Sequence, residues 1–283
     1  MKTILVLTDF SSSAKNAGEY ACALAKQFKS KVILFHAFAV PVPSTDMPIT
    51  AISVKDLEKD NLKILHKEAT AIRKKSSIKV EASTSAGFAV EEAMQLEKKV
   101  KPDLIIAGMK GKNNVARILV GSVVTDVIRR AKTPVLVIPE KAKFKIPKKI
   151  LLACDYKMPI EKNTLSALKI VAGKFNSEIY VVNITAETEE SASVEKAIKG
   201  ANLEQQLRDL NFVYYFPHRD DLLEGIDSFI KKYKTDMIAM IPHKHNLFER
   251  LFGRSNTKRM IYHTHIPLLA LPEKHKNIPA YLV

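Results

Sequence analysis

The sequence has few cysteines and no long apolar run. Its 283 residues include only two cysteines, Cys22 and Cys154, which lie far apart. Two distant thiols form neither a disulfide framework nor a cysteine metal cluster, so a reducing cytoplasm is the simplest compartment. No apolar stretch approaches the roughly 20 residues needed to cross a bilayer. The first residues lack a small-residue cleavage site, so we expect no signal peptide and no membrane partner.

Acidic residues are also in short supply. There are 30 Asp plus Glu against 45 Lys plus Arg, which gives a formal net charge of +15. A positive charge of this size points to an anionic partner and does not bear on the fold. The sequence shows no helix-turn-helix, zinc-finger or aromatic RNA-binding signature, so we do not expect nucleic acid as the partner. Hydrophobic residues make up 46% of the chain, which is ample for a folded core.

Apolar runs alternate with amphipathic segments in the first half. Runs that are apolar throughout predict strands buried on both faces, as in a parallel sheet. The predicted strands are Thr3–Leu7, Val32–Phe38, Ile78–Thr84, Leu104–Ala107 and Val135–Ile138. The predicted helices are Ser11–Phe28, Val54–Lys75, Ala89–Val100 and Ser122–Ala131. Strict alternation of strand and helix predicts an α/β unit with an open, doubly wound sheet.

The same alternation restarts after a lysine-rich segment. The predicted strands are Lys149–Ala153, Glu178–Ile184, Phe212–Phe216, Met237–Ile241 and Leu268–Leu271, and the predicted helices are Asn163–Phe175, Glu187–Leu210 and Leu222–Tyr233. The sequence therefore predicts two tandem copies of one unit, each an open parallel sheet of five strands. The predicted domains are 1–141 and 148–274, with a linker at 142–147 and a tail at 275–283.

Three glycines and a serine follow the fourth strand of the first copy. Gly108, Gly111 and Gly121-Ser122 are spaced G-x2-G-x9-G-S, and Ser122 opens the last helix. Glycines allow close backbone approach, and the free N–H groups at a helix start favour a phosphate. This is not a Walker A loop, which needs lysine and Ser/Thr directly after its last glycine. Positive charge lies nearby on Lys110, Lys112 and Arg117.

This glycine motif resembles that of the ATP-binding branch of the universal stress protein family. Three further segments match the family: Thr8-Asp9-Phe10-Ser11, Phe35-His36-Ala37 and Thr84-x2-Gly87. The resemblance covers the first copy throughout and the second as a fold repeat, so the chain resembles a tandem member. It implies a Rossmann-like fold of the adenine-nucleotide α-hydrolase type.

The resemblance also implies a nucleotide site in the first copy. The implied residues are Thr8, Asp9, Ser11, Ala37, Gly108, Met109, Gly111, Lys112, Gly121, Ser122 and Val123. Asp9 is expected as a buried carboxylate against the nucleoside, and the backbone of Ala37 is expected to face the adenine edge. Two alternatives stay open, namely that Asp9 caps the first helix and that the basic loop residues are solvated.

The second copy has lost this loop. Ile241, Lys244 and Arg254 stand where the first copy has Gly108, Gly111 and Gly121. Bulky side chains there predict that the second copy binds no ATP in the same way. Its histidines, His243, His245, His263 and His265, are weak metal candidates whose simpler interpretation is as polar loop and helix-end residues.

These observations favour a binding protein over an efficient enzyme. Phosphoryl transfer needs a metal-holding acid and a group that orients the nucleophile, and no catalytic set of this kind is recognisable. We expect a stress-response regulator or sensor that binds ATP, ADP or AMP, with Mg²⁺ as an accompanying ion and at most slow hydrolysis. The alternative is an adenylyl-transferring enzyme of the same fold class. The two copies are expected to pair as a pseudo-dimer. A self-contained single chain and a homodimer both stay open as alternatives, and the downstream partner is unknown.

Overall fold

The described part of the chain forms two compact units that alternate strand and helix. The computed structural model describes residues 1–40, 53–109, 122–154, 160–161, 163–183, 202–215, 222–242 and 266–272. Along the chain, the border between the units lies between Phe144 and Lys145. The predicted domain limits stay a prediction, whereas the α/β class is confirmed. None of the helices described is both long and apolar enough to cross a membrane.

The described part of unit one contains five strands and four helices. The strands are β1 (Thr3–Leu7), β2 (Lys31–Phe38), β3 (Val80–Ala86), β4 (Leu104–Met109) and β5 (Val135–Pro139). The helices are α1 (Ser12–Phe28), α2 (Val54–Ser76), α3 (Ala89–Val100) and α4 (Ser122–Arg130). Each element overlaps its predicted range. The central strands are buried along almost their whole length, as continuous apolar runs predict.

The strand order in unit one is β3-β2-β1-β4-β5, and all pairings are parallel. The chain steps outward from β1 to β2 and β3, then crosses back to β4 and β5. Because such crossovers are right-handed, α1 and α2 cover one face of the sheet and α3 and α4 cover the other. In agreement, α1 packs on α2, and α3 packs on α4. The direction reverses between β1 and β4, and open sheets bind ligands outside the strand ends at such a switch point.

Helix α1 lies close to the sheet because its buried side is made of small residues. Ala17, Ala21 and Ala25 are fully buried, and the helix packs on β1, β4 and β5. The Ser11 side chain caps the helix by accepting the Ala14 N–H at 3.3 Å. The start of α1 is thereby fixed at the carboxyl ends of the strands.

Unit two repeats the arrangement of unit one. Its strands are β6 (Lys149–Cys154), β7 (Glu178–Asn183), β8 (Asn211–Tyr215), β9 (Met237–Met240) and β10 (Leu268–Ala270), and its helices are α5 (Ser166–Phe175) and α6 (Leu222–Tyr233). Residues 202–207 are also helical, within the predicted Glu187–Leu210, most of which lies outside the described residues. The strand order is β8-β7-β6-β9-β10, all parallel, which is the order of unit one position for position.

An equivalent set of hydrogen bonds occurs in each unit at the amino ends of its strands. In each unit, an aspartate before the fourth strand accepts the two N–H groups that open the first strand. The matched sets are Asp103 with Lys2 (2.6 Å) and Thr3 (2.9 Å), and Asp236 with Lys148 (2.9 Å) and Lys149 (3.0 Å). The amino edge is therefore the same in both copies, and the differences between them lie elsewhere.

Candidate functional site

The turn after β1 is closed by short-range hydrogen bonds. The Thr8 N–H donates to the Phe35 carbonyl oxygen at 2.9 Å and so completes the last bond of β1 to β2. The Phe10 N–H then donates to Thr8 Oγ1 at 3.1 Å, and Phe10 adopts a left-handed backbone with φ of 63°. A bulky residue rarely takes this conformation, which costs on the order of 1–3 kcal/mol and is often found at functional sites.

Asp9 lies in the middle of this turn, at the switch point. Its Oδ1 accepts the Ser11 N–H at 3.0 Å, while Ser11 itself is the helix cap. The prediction of a buried carboxylate is wrong, because Asp9 is exposed at the carboxyl edge of the sheet. The Asp9 carboxylate is therefore exposed to solvent at this edge, and its hydrogen bond with the Ser11 N–H holds it there.

His36 is the residue of this region that sequence reasoning did not assign to the site. Its Nδ1 lies 2.8 Å from the Thr8 carbonyl oxygen, and its ring centroid lies 4.3 Å from that of Phe10. A carbonyl oxygen only accepts, so Nδ1 carries the hydrogen. Thr84 Oγ1 donates to the His36 carbonyl oxygen at 2.8 Å and links the end of β2 to β3. The sequence signals were a polar ring at the end of an apolar strand and the family match of Phe35-His36-Ala37, and neither gave His36 a role.

Gly108 lies in β4, paired with Ile138, and not in a turn. A Cβ at this position would lie 2.8 Å from the Ala14 nitrogen and closer still to the Ser13 backbone. The missing side chain therefore allows the start of α1 to pack directly on β4. The neighbouring Met109 side chain is buried, so only its backbone is available to a ligand.

Helix α4 presents an open amino end. Ser122 is its first residue, and Ser122 and Val123 are both exposed. The first turn carries no acidic residue, and Arg129 and Arg130 lie in the last turn. The first N–H groups of a helix have no partner within it, so this end suits an anion.

The remaining predicted site residues lie outside the described residues. These are Gly111, Lys112 and Gly121 of the loop, with Lys110 and Arg117, and the histidines His243, His245, His263 and His265. Within the described ranges, no group of three or more His, Cys, Asp or Glu residues is placed to hold a metal ion.

Three hydrogen bonds between distant residues fix the segment after β5 against α1. Ser12 Oγ donates to Glu140 Oε1 at 2.5 Å. Asn16 Nδ2 donates to the carbonyl oxygens of Pro139 at 3.0 Å and Ala142 at 2.8 Å. These partners lie more than 120 residues apart in the sequence, so no local pattern indicates them. Glu140 adds a second carboxylate to the carboxyl edge near α1.

Two titratable groups lie behind the turn, between α1 and α2: the half-buried Glu68 carboxyl and the buried Cys22 thiol. Burial raises the pKa of the Glu68 carboxyl, and the positive charges of Lys15 and His36 oppose this rise. Burial, together with Glu19 and Glu68, raises the pKa of the Cys22 thiol to about 12. Cys22 is therefore a core residue and not a nucleophile.

The equivalent edge of unit two is built differently. Ile241, which replaces Gly108, is buried. Helix α5 has 10 residues where α1 has 17, and it begins at Ser166 after a turn at 163–165. Residues 160–161 and 163–165 match helical positions of α1 by the alignment of Asp9 with Asp155. The described start of α5 therefore lies further along the chain, as expected when a side chain fills the space that Gly108 leaves open.

Unit one is thus an open, doubly wound α/β unit in which the strand order reverses between β1 and β4. Residues 1–139 match the sequence model of the universal stress protein family. Universal stress protein MJ0577 of Methanocaldococcus jannaschii is 31% identical over 158 residues, which cover 50% of this chain and 96% of that protein. Universal stress protein MJ0531 of the same organism is 29% identical over 144 residues, which cover 50% of this chain and 84% of that protein. The chain belongs to the universal stress protein family.

A solved structure of the family resembles almost the whole chain. It is a universal stress protein from Archaeoglobus fulgidus, which superposes with a TM-score of 0.73 over 95% of this chain and 98% of that chain. At 17% identity this likeness shows the fold alone. Both halves of the chain therefore share the fold of that structure.

Proposed function

We propose that unit one binds an adenine nucleotide, ATP or its products ADP and AMP, and acts as a nucleotide-dependent stress regulator or sensor. The observation that carries the proposal is the meeting of Thr8-Asp9 and Gly108-Met109 on neighbouring strand ends, where the strand order reverses. The G-x2-G-x9-G-S motif starts from this point and ends at the open start of α4.

The described residues offer hydrogen-bonding groups for the ribose and the phosphates of a nucleotide. The exposed carboxylate of Asp9 is an acceptor for ribose hydroxyls. Ser122 and the first N–H groups of α4 are donors for phosphate oxygens, without an acidic residue in that turn to repel them. Gly111, Lys112, Gly121 and the hydroxyl of Ser122 complete the phosphate site that the motif predicts.

Catalysis is expected to be slow at most. Of the carboxylates at this edge, Asp9 accepts the Ser11 N–H and Glu140 accepts the Ser12 hydroxyl. Phosphoryl transfer also needs a group that orients the attacking water, and the sequence offers no recognisable catalytic set of this kind. Mg²⁺ would come with the phosphates, held by their oxygens and by Asp9. Unit two, with Ile241 in place of Gly108, is proposed as a scaffold. Pairing of the copies and a cytoplasmic location stay predictions.

Calorimetric titration with ATP tests the proposal, with a control from the second copy. Asp9 and Asp155 follow the first strand of their copies. We expect Asp9→Asn to weaken ATP binding about tenfold, because a charged acceptor is lost. Asp155→Asn is expected to bind like the parent protein. Absence of binding to the parent protein, or equal losses in the two variants, would overturn the proposal.

A further inference from the structure

The hydrogen-bond ladder between β1 and β2 ends at Phe35, although β2 continues to Phe38. Backbone groups of successive strand residues point to opposite sides. In β2, Lys31 and Phe35 bond towards β1, whereas Val32 and Phe38 bond towards β3. Ala37 is in step with Lys31 and Phe35, so its N–H and carbonyl oxygen face the side of β1.

Both groups of Ala37 have lost their ladder partners on that side. In a regular parallel ladder the Ala37 N–H would donate to the Thr8 carbonyl oxygen, and the Ala37 oxygen would accept the Phe10 N–H. Instead, the Thr8 oxygen accepts from His36 Nδ1 at 2.8 Å, and the Phe10 N–H donates to Thr8 Oγ1 at 3.1 Å. Within residues 1–40, no described hydrogen bond joins Ala37 to Thr8 or Phe10.

The result is a donor and an acceptor side by side on β2, next to the carboxyl end of β1. A backbone N–H and carbonyl oxygen need partners, and here a ligand or water must supply them. Adenine offers the complementary pair on its Watson–Crick edge, the N1 acceptor beside the N6 amino donor. Guanine offers the reverse, a protonated N1 beside the O6 acceptor, which the Ala37 groups would oppose.

We propose that His36 is a positioning residue for nucleobase recognition. By occupying the Thr8 oxygen, its Nδ1–H keeps β1 from pairing with Ala37 and leaves the Ala37 backbone open to the base. The Phe10 ring packs against the imidazole and the Thr84 hydroxyl bonds its carbonyl oxygen, so His36 is restrained from two directions. The inference rests on the proposed function and adds to it the residue that keeps the Ala37 backbone open to the base.

Two substitutions at His36 separate hydrogen bonding from shape. The amide nitrogen of asparagine has the same place in its side chain as Nδ1, so His36→Asn retains the donor. His36→Leu removes the donor and leaves the Thr8 oxygen to the Ala37 N–H. His66→Leu is the matched control, because His66 is exposed on α2.

Binding of ATP, GTP and tripolyphosphate is then measured by calorimetry. We expect His36→Leu to bind ATP about tenfold more weakly than the parent, the change for about one hydrogen bond. The variant should lose most of its preference for ATP over GTP. His36→Asn should stay within about twofold of the parent for ATP. Tripolyphosphate, which has no base, should bind all variants equally.

Three results would overturn the role of His36. These are parent-like ATP binding by His36→Leu, a loss in His36→Asn equal to that in His36→Leu, and an equal loss for tripolyphosphate. Amide hydrogen exchange without nucleotide tests the inference separately from the proposed function. We expect the Ala37 amide to exchange fast in the parent and slowly in His36→Leu. Slow exchange in the parent would refute the inference even if ATP binds, and absence of ATP binding would refute the proposed function.

Discussion

The contact between Gly108 and the start of α1 makes the sharpest stability prediction. A methyl group at Gly108 would meet the backbone of Ser13 and lie 2.8 Å from the Ala14 nitrogen. Backbone atoms of a capped helix that packs on a sheet cannot relieve the clash by rotating, as a flexible side chain can. Overpacking costs about 1–3 kcal/mol, and this site belongs at the upper end of that range.

The assay is thermal unfolding of Gly108→Ala against two alanine controls. A loss of about 3 kcal/mol lowers the Tm by about 9 °C for a domain of this size. Gly18→Ala places its methyl 3.8 Å from Ile72 Cδ1, an ordinary contact inside α1, and Gly173→Ala in α5 meets nothing within 4 Å. Both controls should raise the Tm by about 2 °C, because alanine is the better helix former.

The order of the three variants decides the outcome. If Gly108→Ala unfolds at the temperature of the parent or above it, α1 does not begin against β4. The later start of α5 in unit two could then not be attributed to Ile241 in place of Gly108.

Two further predictions concern buried groups between α1 and α2. The pKa of Cys22 is raised to about 12, so its thiol should resist iodoacetamide at pH 8 in the native protein and react once the protein is unfolded in urea; rapid labelling of the native protein would contradict its burial. The pKa of the Glu68 carboxyl is higher in the folded than in the unfolded protein. The protonated carboxyl therefore stabilises the folded state at low pH, and this stabilisation is lost as the pH rises through the folded pKa. Glu68→Gln should therefore raise the Tm relative to the parent at pH 8 and have little effect at pH 4, and an equal effect at both would argue against a raised pKa.

The sequence predicted the strands well because each strand of a parallel sheet is a continuous apolar run. Ile4, Val6, Ile105 and Ile106 are fully buried, and such runs leave little choice of assignment. The ends of elements were less certain, as for β3, which begins at Val80 and not Ile78. The repeat was also visible, because the apolar run that opens each copy leads into an aspartate, Asp9 in the first and Asp155 in the second.

The site was predictable where it depends on local motifs and not where it depends on pairing. The glycine spacing and the start of α4 at Ser122 were found from the sequence. The exposure of Asp9 and the diversion of the Thr8 oxygen to His36 were not, because both depend on how β1 and β2 end side by side. The sequence assigned Gly108 to the ligand site. The structure shows in addition that the start of α1 fills the space that a side chain at Gly108 would occupy.

Native mass spectrometry of the chain titrated with ATP tests the central claim most directly. We propose one nucleotide site in unit one and none of the same kind in unit two. We therefore predict a single ATP adduct per chain, which Asp9→Asn weakens and Asp155→Asn does not. Two adducts of similar affinity per chain, or none at saturating ATP, would contradict the account.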